Sequence, residues 1–128
     1  MTHVLLLEPD VALGRTYRQA LEHAGYSVSL SRTAQGALSA AEDRLPDIVV
    51  LELQLAAHSG VEFLHEFRSY SEWQGVPVVI NTHMRPQAIE EAGNALRQNL
   101  GVGKVLYKPR TSLTQLVRVV GQQIGAVA

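Results

Sequence analysis

Glu52 is the residue that most needs explaining. It ends the run Ile48-Val49-Val50-Leu51, branched apolar residues of the kind found in strands covered on both faces. A carboxylate is costly inside such a strand but natural at its carboxyl end, where α/β proteins open a ligand crevice. Three more polar residues stand close after other apolar runs: Glu8 after Val4–Leu7, Thr82 after Val76–Ile80 and Lys108 after Val102–Leu106. Chance supplies one or two such coincidences. Four at successive strand ends mark a site built of two carboxylates, a hydroxyl and an ammonium, in which buried charge must find a partner.

The elements that would position these side chains follow from the hydrophobic period. The first strand, Val4–Leu7, is stopped by Pro9. Asp10 can cap a helix carried by Leu13, Tyr17, Ala20, Leu21 and Ala24 and ended by Gly25. Tyr26–Leu30 reads as the second strand, and Thr33 caps a helix through Ala34, Ala37, Leu38 and Ala41. After the strand at 47–51, Ser59-Gly60 opens a third helix through Val61, Leu64, His65 and Phe67, with Glu62, Glu66 and Arg68 directed to water. Val76–Ile80 is the fourth strand; Pro86 starts a fourth helix that runs to about Gln98. Val102–Leu106 is the fifth strand, and Thr111 starts a last helix with Leu113, Leu116, Val117, Val120 and Ile124 inward. Strands alternating with helices imply right-handed crossovers and a parallel sheet covered on both faces, an α/β doubly wound domain over residues 1–128.

Composition limits the function. A chain of 128 residues forms one domain with a real core. A net charge of −1 gives no field favouring DNA, RNA or an anionic membrane. Without cysteine there is no disulfide or thiol chemistry. No apolar run reaches membrane-spanning length and the amino terminus lacks a basic leader, so a cytoplasmic location is expected. His58, Glu62 and His65 share a helix-start face, but that spacing alone makes solvated side chains the expectation rather than zinc ligands. His83 is expected to be solvated at the edge of the site. Gly101–Gly103 precedes a strand, so it is a turn and not a phosphate loop.

The chain resembles the response-regulator receiver domain over its whole length. The resemblance rests on Leu-Leu-Leu-Glu-Pro-Asp at 5–10, Pro-Asp-Ile-Val-Val-Leu-Glu-Leu at 46–53, Ser-Gly at 59–60, Pro-Val-Val-Ile-Asn-Thr at 77–82 and Lys-Pro at 108–109. It implies a flavodoxin-like, CheY-like sheet of five strands in the order 2-1-3-4-5 with five helices. It also implies a pocket in which a third-strand aspartate accepts a phosphoryl group from a histidine kinase. There, acids after the first strand hold magnesium, while the threonine hydroxyl and the lysine contact the phosphoryl oxygens; charge neutralisation and positioning supply most of the catalysis.

Departures fall where that chemistry is carried. Glu52 stands in the acceptor's place, and its extra methylene moves the carboxylate out of geometry set for the shorter side chain. Pro9 stands where the family has its chief metal-binding acid, and Asp10 is already the expected helix cap. Ala56 replaces a usual loop proline, and Val105 takes the place where many receivers carry a switching aromatic. The segment from Thr82 to Lys108 is longer than usual by about one helical turn. The resemblance therefore implies a degenerate phosphorylation pocket of Glu8, Pro9, Asp10, Glu52, Thr82 and Lys108, with no catalytic residue. Magnesium binding is doubtful and no other cofactor is expected; Glu8, Glu52 and a carbonyl from Gln54 are weak metal candidates. Lys108 is expected to lock onto Glu52, with Glu8 as second choice, and the Lys108–Pro109 peptide to be cis. Glu52 then either only satisfies Lys108 or mimics a phosphorylated aspartate, with one charge and two oxygens against nearly two charges and three oxygens.

The expected function is that of an atypical receiver, not an enzyme, working without phosphorylation through contact with another protein. A protein partner or a second copy would use the fourth helix, fifth strand and last helix, where Arg97, Val105, Arg110 and Arg118 lie near Glu90 and Glu91. Two alternatives stand beside this. The chain could be the amino-terminal receiver of a longer transcriptional regulator, or a receiver retaining weak metal-dependent chemistry on a small phosphodonor. Direct nucleic-acid binding is not expected, because no recognition helix or basic stripe is visible.

Overall fold

The computed structural model describes residues 1–56 and 59–127. Its strands are β1 His3–Leu7, β2 Ser27–Ser31, β3 Ile48–Leu51, β4 Val78–Thr82 and β5 Val102–Tyr107; its helices are α1 Val11–His23, α2 Ala34–Asp43, α3 Gly60–Ser69, α4 Pro86–Leu100 and α5 Leu113–Val127. Short 3-10 turns at Ser71–Trp73 and Lys108–Arg110 complete the chain. All neighbouring strands are parallel, in the order β2-β1-β3-β4-β5, as the resemblance implies.

The sheet has an apolar core on each side. Leu5, Leu7, Val49, Leu51, Val78 and Ile80 point to the layer that holds Ala37, Phe63, Leu64, Phe67 and Leu96 from α2, α3 and α4. Val4, Leu6, Val50 and Val79 point to Tyr17 and Leu21 of α1 and Leu116 and Val120 of α5. This two-sided burial is why the strands read as continuous apolar runs rather than alternating ones.

Several element ends differ from expectation, each for a local reason. Tyr26 leaves β2 because its N–H bonds back to Leu21 O of α1, while Ser31 joins the strand opposite Leu7. Val76 N–H closes a turn onto Trp73 O and Pro77 has no N–H, so β4 begins at Val78 and extends to Thr82, which brings Asn81 into the sheet. α4 continues to Leu100, a buried residue, and stops at Gly101 with φ 64. Ser112 rather than Thr111 caps α5: Gln115 N–H donates to Ser112 Oγ at 3.1 Å and Ser112 N–H to Gln115 Oε1 at 2.9 Å, a reciprocal capping box. On α3, Phe63 is buried and His65 exposed. Arg68 does not run to water either; it is half-buried and donates to the carbonyls of Leu100, Trp73, Gln74 and Gly101.

Candidate functional site

Register sets the site. Leu7 pairs with Leu51, Leu51 with Ile80, and Asn81 with Leu106, so Glu8, Glu52 and Asn81 are the next residues along three adjacent strands. Lys108, two residues past Leu106, reaches across this row. Its Nζ lies 2.5 Å from Glu8 Oε1 and 3.4 Å from Glu52 Oε1. All three side chains are almost wholly buried. The expected partner order is thus reversed, with Glu8 as the close partner and Glu52 the second. The expected cis peptide is also absent: Lys108–Pro109 is trans. Trans is the lower-energy isomer by about 0.5–1 kcal/mol, and a 3-10 turn over Lys108–Arg110 already delivers the ammonium to the acids.

Glu52 has more donors than Lys108 alone. Leu53 N–H donates to Oε2 at 3.0 Å and His83 N–H to Oε1 at 3.2 Å. His83 Nδ1 lies 3.5 Å from both Glu52 Oε1 and Lys108 Nζ, so the imidazole, half exposed at the edge of the site as expected, also flanks the pair. The glutamate carboxylate is in effect an anion seated in a cradle of two backbone N–H groups and an ammonium. The cradle needs a tight β3–α3 turn: Gly60 N–H donates to Leu53 O at 2.7 Å, and a Cβ at Gly60 would meet Leu53 Cα at 2.6 Å and Glu52 O at 2.8 Å. Only glycine permits that approach.

The remaining expected site residues divide. Glu8 Oε2 accepts from Asp10 N–H at 3.0 Å, and Asp10 Oδ1 accepts from Leu13 N–H at 2.9 Å, so Asp10 is indeed the cap of α1. Pro9 lies between them with no donor or ligand to offer. Thr82 is fully buried beside the row, but its Oγ1 accepts from Met84 N–H at 3.1 Å and thereby serves its own loop. Gln54 is exposed and forms an isolated antiparallel bridge with Ser59. His58 lies outside the described residues. Among those described, no three metal-binding side chains gather in one place.

Two residues of the site were missed from sequence. Asn81 is 3% exposed, and its Oδ1 has no protein partner among the described residues. Tyr17 of α1 hydrogen-bonds the Asn81 side chain from the α1/α5 side of the sheet. Burial pushes the Tyr17 hydroxyl up from its ordinary value, the Asn81 bond pulls it back, and the nearby charges of Glu8, Glu52 and Asp10 raise it further. The available signal was parity: in Val78-Val79-Ile80-Asn81, position 81 shares a face with buried Val79.

On the face formed by α4, β5 and α5, Arg97, Arg110 and Arg118 are exposed and Val105 is half-buried. Among the described residues none of these arginines forms an ion pair with Glu90 or Glu91. Arg110 instead lies 5.7 Å over the Tyr107 ring.

Residues 4–120 match the family described as the response regulator receiver domain, and the chain belongs to that family. Among curated proteins it is 33% identical over 119 residues to the KDP operon transcriptional regulatory protein KdpE of Escherichia coli (strain K12), covering 88% of this chain and 52% of that one. It is 25% identical over 122 residues to the polar-differentiation response regulator DivK of Brucella ovis, covering 95% of each. The chain thus spans about half the length of the KdpE relative and nearly all of DivK. Among solved structures, a sensor protein from Polaromonas sp. JS666 superposes with TM-score 0.89 at 22% identity, over 99% of this chain and 98% of that one. A CheY-like receiver domain protein from Methanospirillum hungatei JF-1 gives TM-score 0.87 at 20% identity, over 99% and 96%. These likenesses establish the receiver fold.

Proposed function

We propose that this receiver transmits its signal without being phosphorylated, with Glu52 in the acceptor's place as a built-in anion. One observation carries the reading: the buried Glu52 carboxylate already occupies two N–H donors and shares Lys108. A phosphoryl group would need those same donors. Magnesium does not fit this set, because the oxygens of Glu8 and Glu52 face the ammonium and backbone N–H groups and Pro9 adds no ligand. The chain then acts in the cytoplasm by protein contact and not as an enzyme, with the α4–β5–α5 face around Arg97, Val105, Arg110 and Arg118 as the contact surface. A second reading, as the receiver of a longer transcriptional regulator, is favoured by the names and greater length of relatives such as KdpE.

The test is incubation with acetyl phosphate and magnesium, read by intact-mass spectrometry. The native chain should give no adduct, and Glu52→Asp alone should remain poorly modified. Glu52→Asp with Pro9→Asp should gain some acid-labile phosphoryl group. A stoichiometric phosphoryl adduct on native Glu52 would overturn the proposal.

A further inference from the structure

α2 and α3 lie side by side on one face of the sheet, with a groove of about 410 Å³ between them. Ala34, Gln35 and Leu38 line it from α2, and Glu62, Phe63 and Glu66 from α3. Ala34, Leu38 and Phe63 make an apolar floor, with Leu38 half-buried. Glu42 follows one turn after Leu38 on the same stripe and extends the acidic rim. Arg68 is the only arginine or lysine within either helix, and it turns inward to the carbonyls named above, leaving exposed His65 on α3 and Arg44 at the end of α2 as the basic residues beside the acids. The chain as a whole is close to neutral, so this negative field is local.

We propose that the α2–α3 groove docks a basic amphipathic helix of a partner protein. Apolar side chains spaced at three and four would rest on Leu38, above the buried Ala34 and Phe63, and lysine or arginine flanks would face Glu42 and Glu66. Nucleic acid and anionic membrane are repelled by the same charges. A second copy is a poor occupant: among its helices only α1 carries two arginines, Arg15 and Arg18, and Arg18 is already 3.4 Å from Glu22, while Arg97, Arg110 and Arg118 lie on separate elements and flank no single helix. This site lies apart from the α4–β5–α5 face and does not depend on Glu52.

The test uses the full chain and a synthetic, fluorescently labelled helix of about 18 residues, with leucine on one stripe and lysine on its flanks. A twin peptide carries glutamate in place of lysine. Anisotropy should show saturable binding of the lysine peptide alone, with amide shifts confined to α2 and α3. Glu42→Lys with Glu66→Lys should weaken binding by about tenfold or more, while Glu90→Lys with Glu91→Lys, the same change of net charge on α4, should leave it within about twofold. Leu38→Gln should also weaken binding, with circular dichroism unchanged. Equal weakening by both double variants, amide shifts elsewhere, or binding of the glutamate twin would overturn the proposal. Self-association through α2 and α3 in sedimentation would do so in favour of a second copy.

Discussion

Lys108 is shared unequally between two acids, and that inequality has an energetic consequence. At 2.5 Å, Glu8 is the partner whose loss leaves the ammonium most exposed to an uncompensated burial cost. Glu52, at 3.4 Å, loses mainly its role as acceptor for Leu53 and His83 N–H. Both Glu8→Gln and Glu52→Gln should destabilise the fold by roughly 1–3 kcal/mol, with Glu8→Gln the costlier. Urea titration followed through the single tryptophan, Trp73, measures both; the opposite order would mean that the N–H cradle outweighs the short ion pair. The membership of this cluster was legible in the sequence, because Glu8, Glu52 and Lys108 each follow an apolar run. Its pairing order was not. That depends on how far each side chain reaches across a parallel register, which spacing along the chain does not encode. Asn81 and Tyr17 escaped for a related reason: Asn81 reads as loop beyond the apolar run and Tyr17 as an ordinary core position of its helix until β4 and α1 are set side by side.

The β3–α3 turn and the β1–β2 corner each rest on one residue. Gly60→Ala must push Cβ into backbone, not into a flexible side chain, so it should cost about 1–3 kcal/mol and shift the amide resonances of Leu53 and His83. Gly125, with open space at its Cβ position in α5, is the control: Gly125→Ala should stabilise by roughly 0.5–1 kcal/mol. Calorimetry that finds the two changes equivalent would sink this account of the turn. At the corner, the buried His3 ring lies 2.7 Å from Ser27 Oγ and 2.8 Å from Ser29 Oγ. Burial, aided by the charge of Arg44 and opposed by Asp47, holds its imidazole below the usual histidine range. The unfolded chain therefore takes up a proton near pH 6.5 that the folded chain resists. Stability from this group is present above about pH 6.5 and is lost as pH falls below it. Denaturation midpoints measured from pH 7 to pH 5 should decline, and less steeply in His3→Gln; parallel declines would refute the assignment. At this scale the helices were readable from period and caps, as Asp10 and Thr33 bear out. Strand ends were not, because turn bonds such as Val76 N–H to Trp73 O compete with the ladder.

For the whole molecule, the sheet is the wall between two cores that have no residue in common. Leu64→Ala on one side and Leu116→Ala on the other should each cost about 2–5 kcal/mol. Trp73 belongs to the core of Leu64, yet Leu116→Ala should move its fluorescence transition as far as it moves the circular dichroism, because a domain of this size unfolds as one unit. Separate midpoints for the two signals would show that the layers melt independently. The architecture itself was the most legible feature, since alternating periods admit few topologies. The α2–α3 groove was the least legible, because a gap between helices is a property of packing and leaves no mark in either helix's own pattern.

The reach of Lys108 also has a meaning in time. Synthesis runs from the amino end, so Glu8 and Glu52 leave the ribosome long before the ammonium that neutralises them. Until residue 108 emerges, closing β1 against β3 buries two like charges without their counter-ion. A sheet of the first four strands alone would carry that cost in full, and β5 removes it because it leads directly into Lys108.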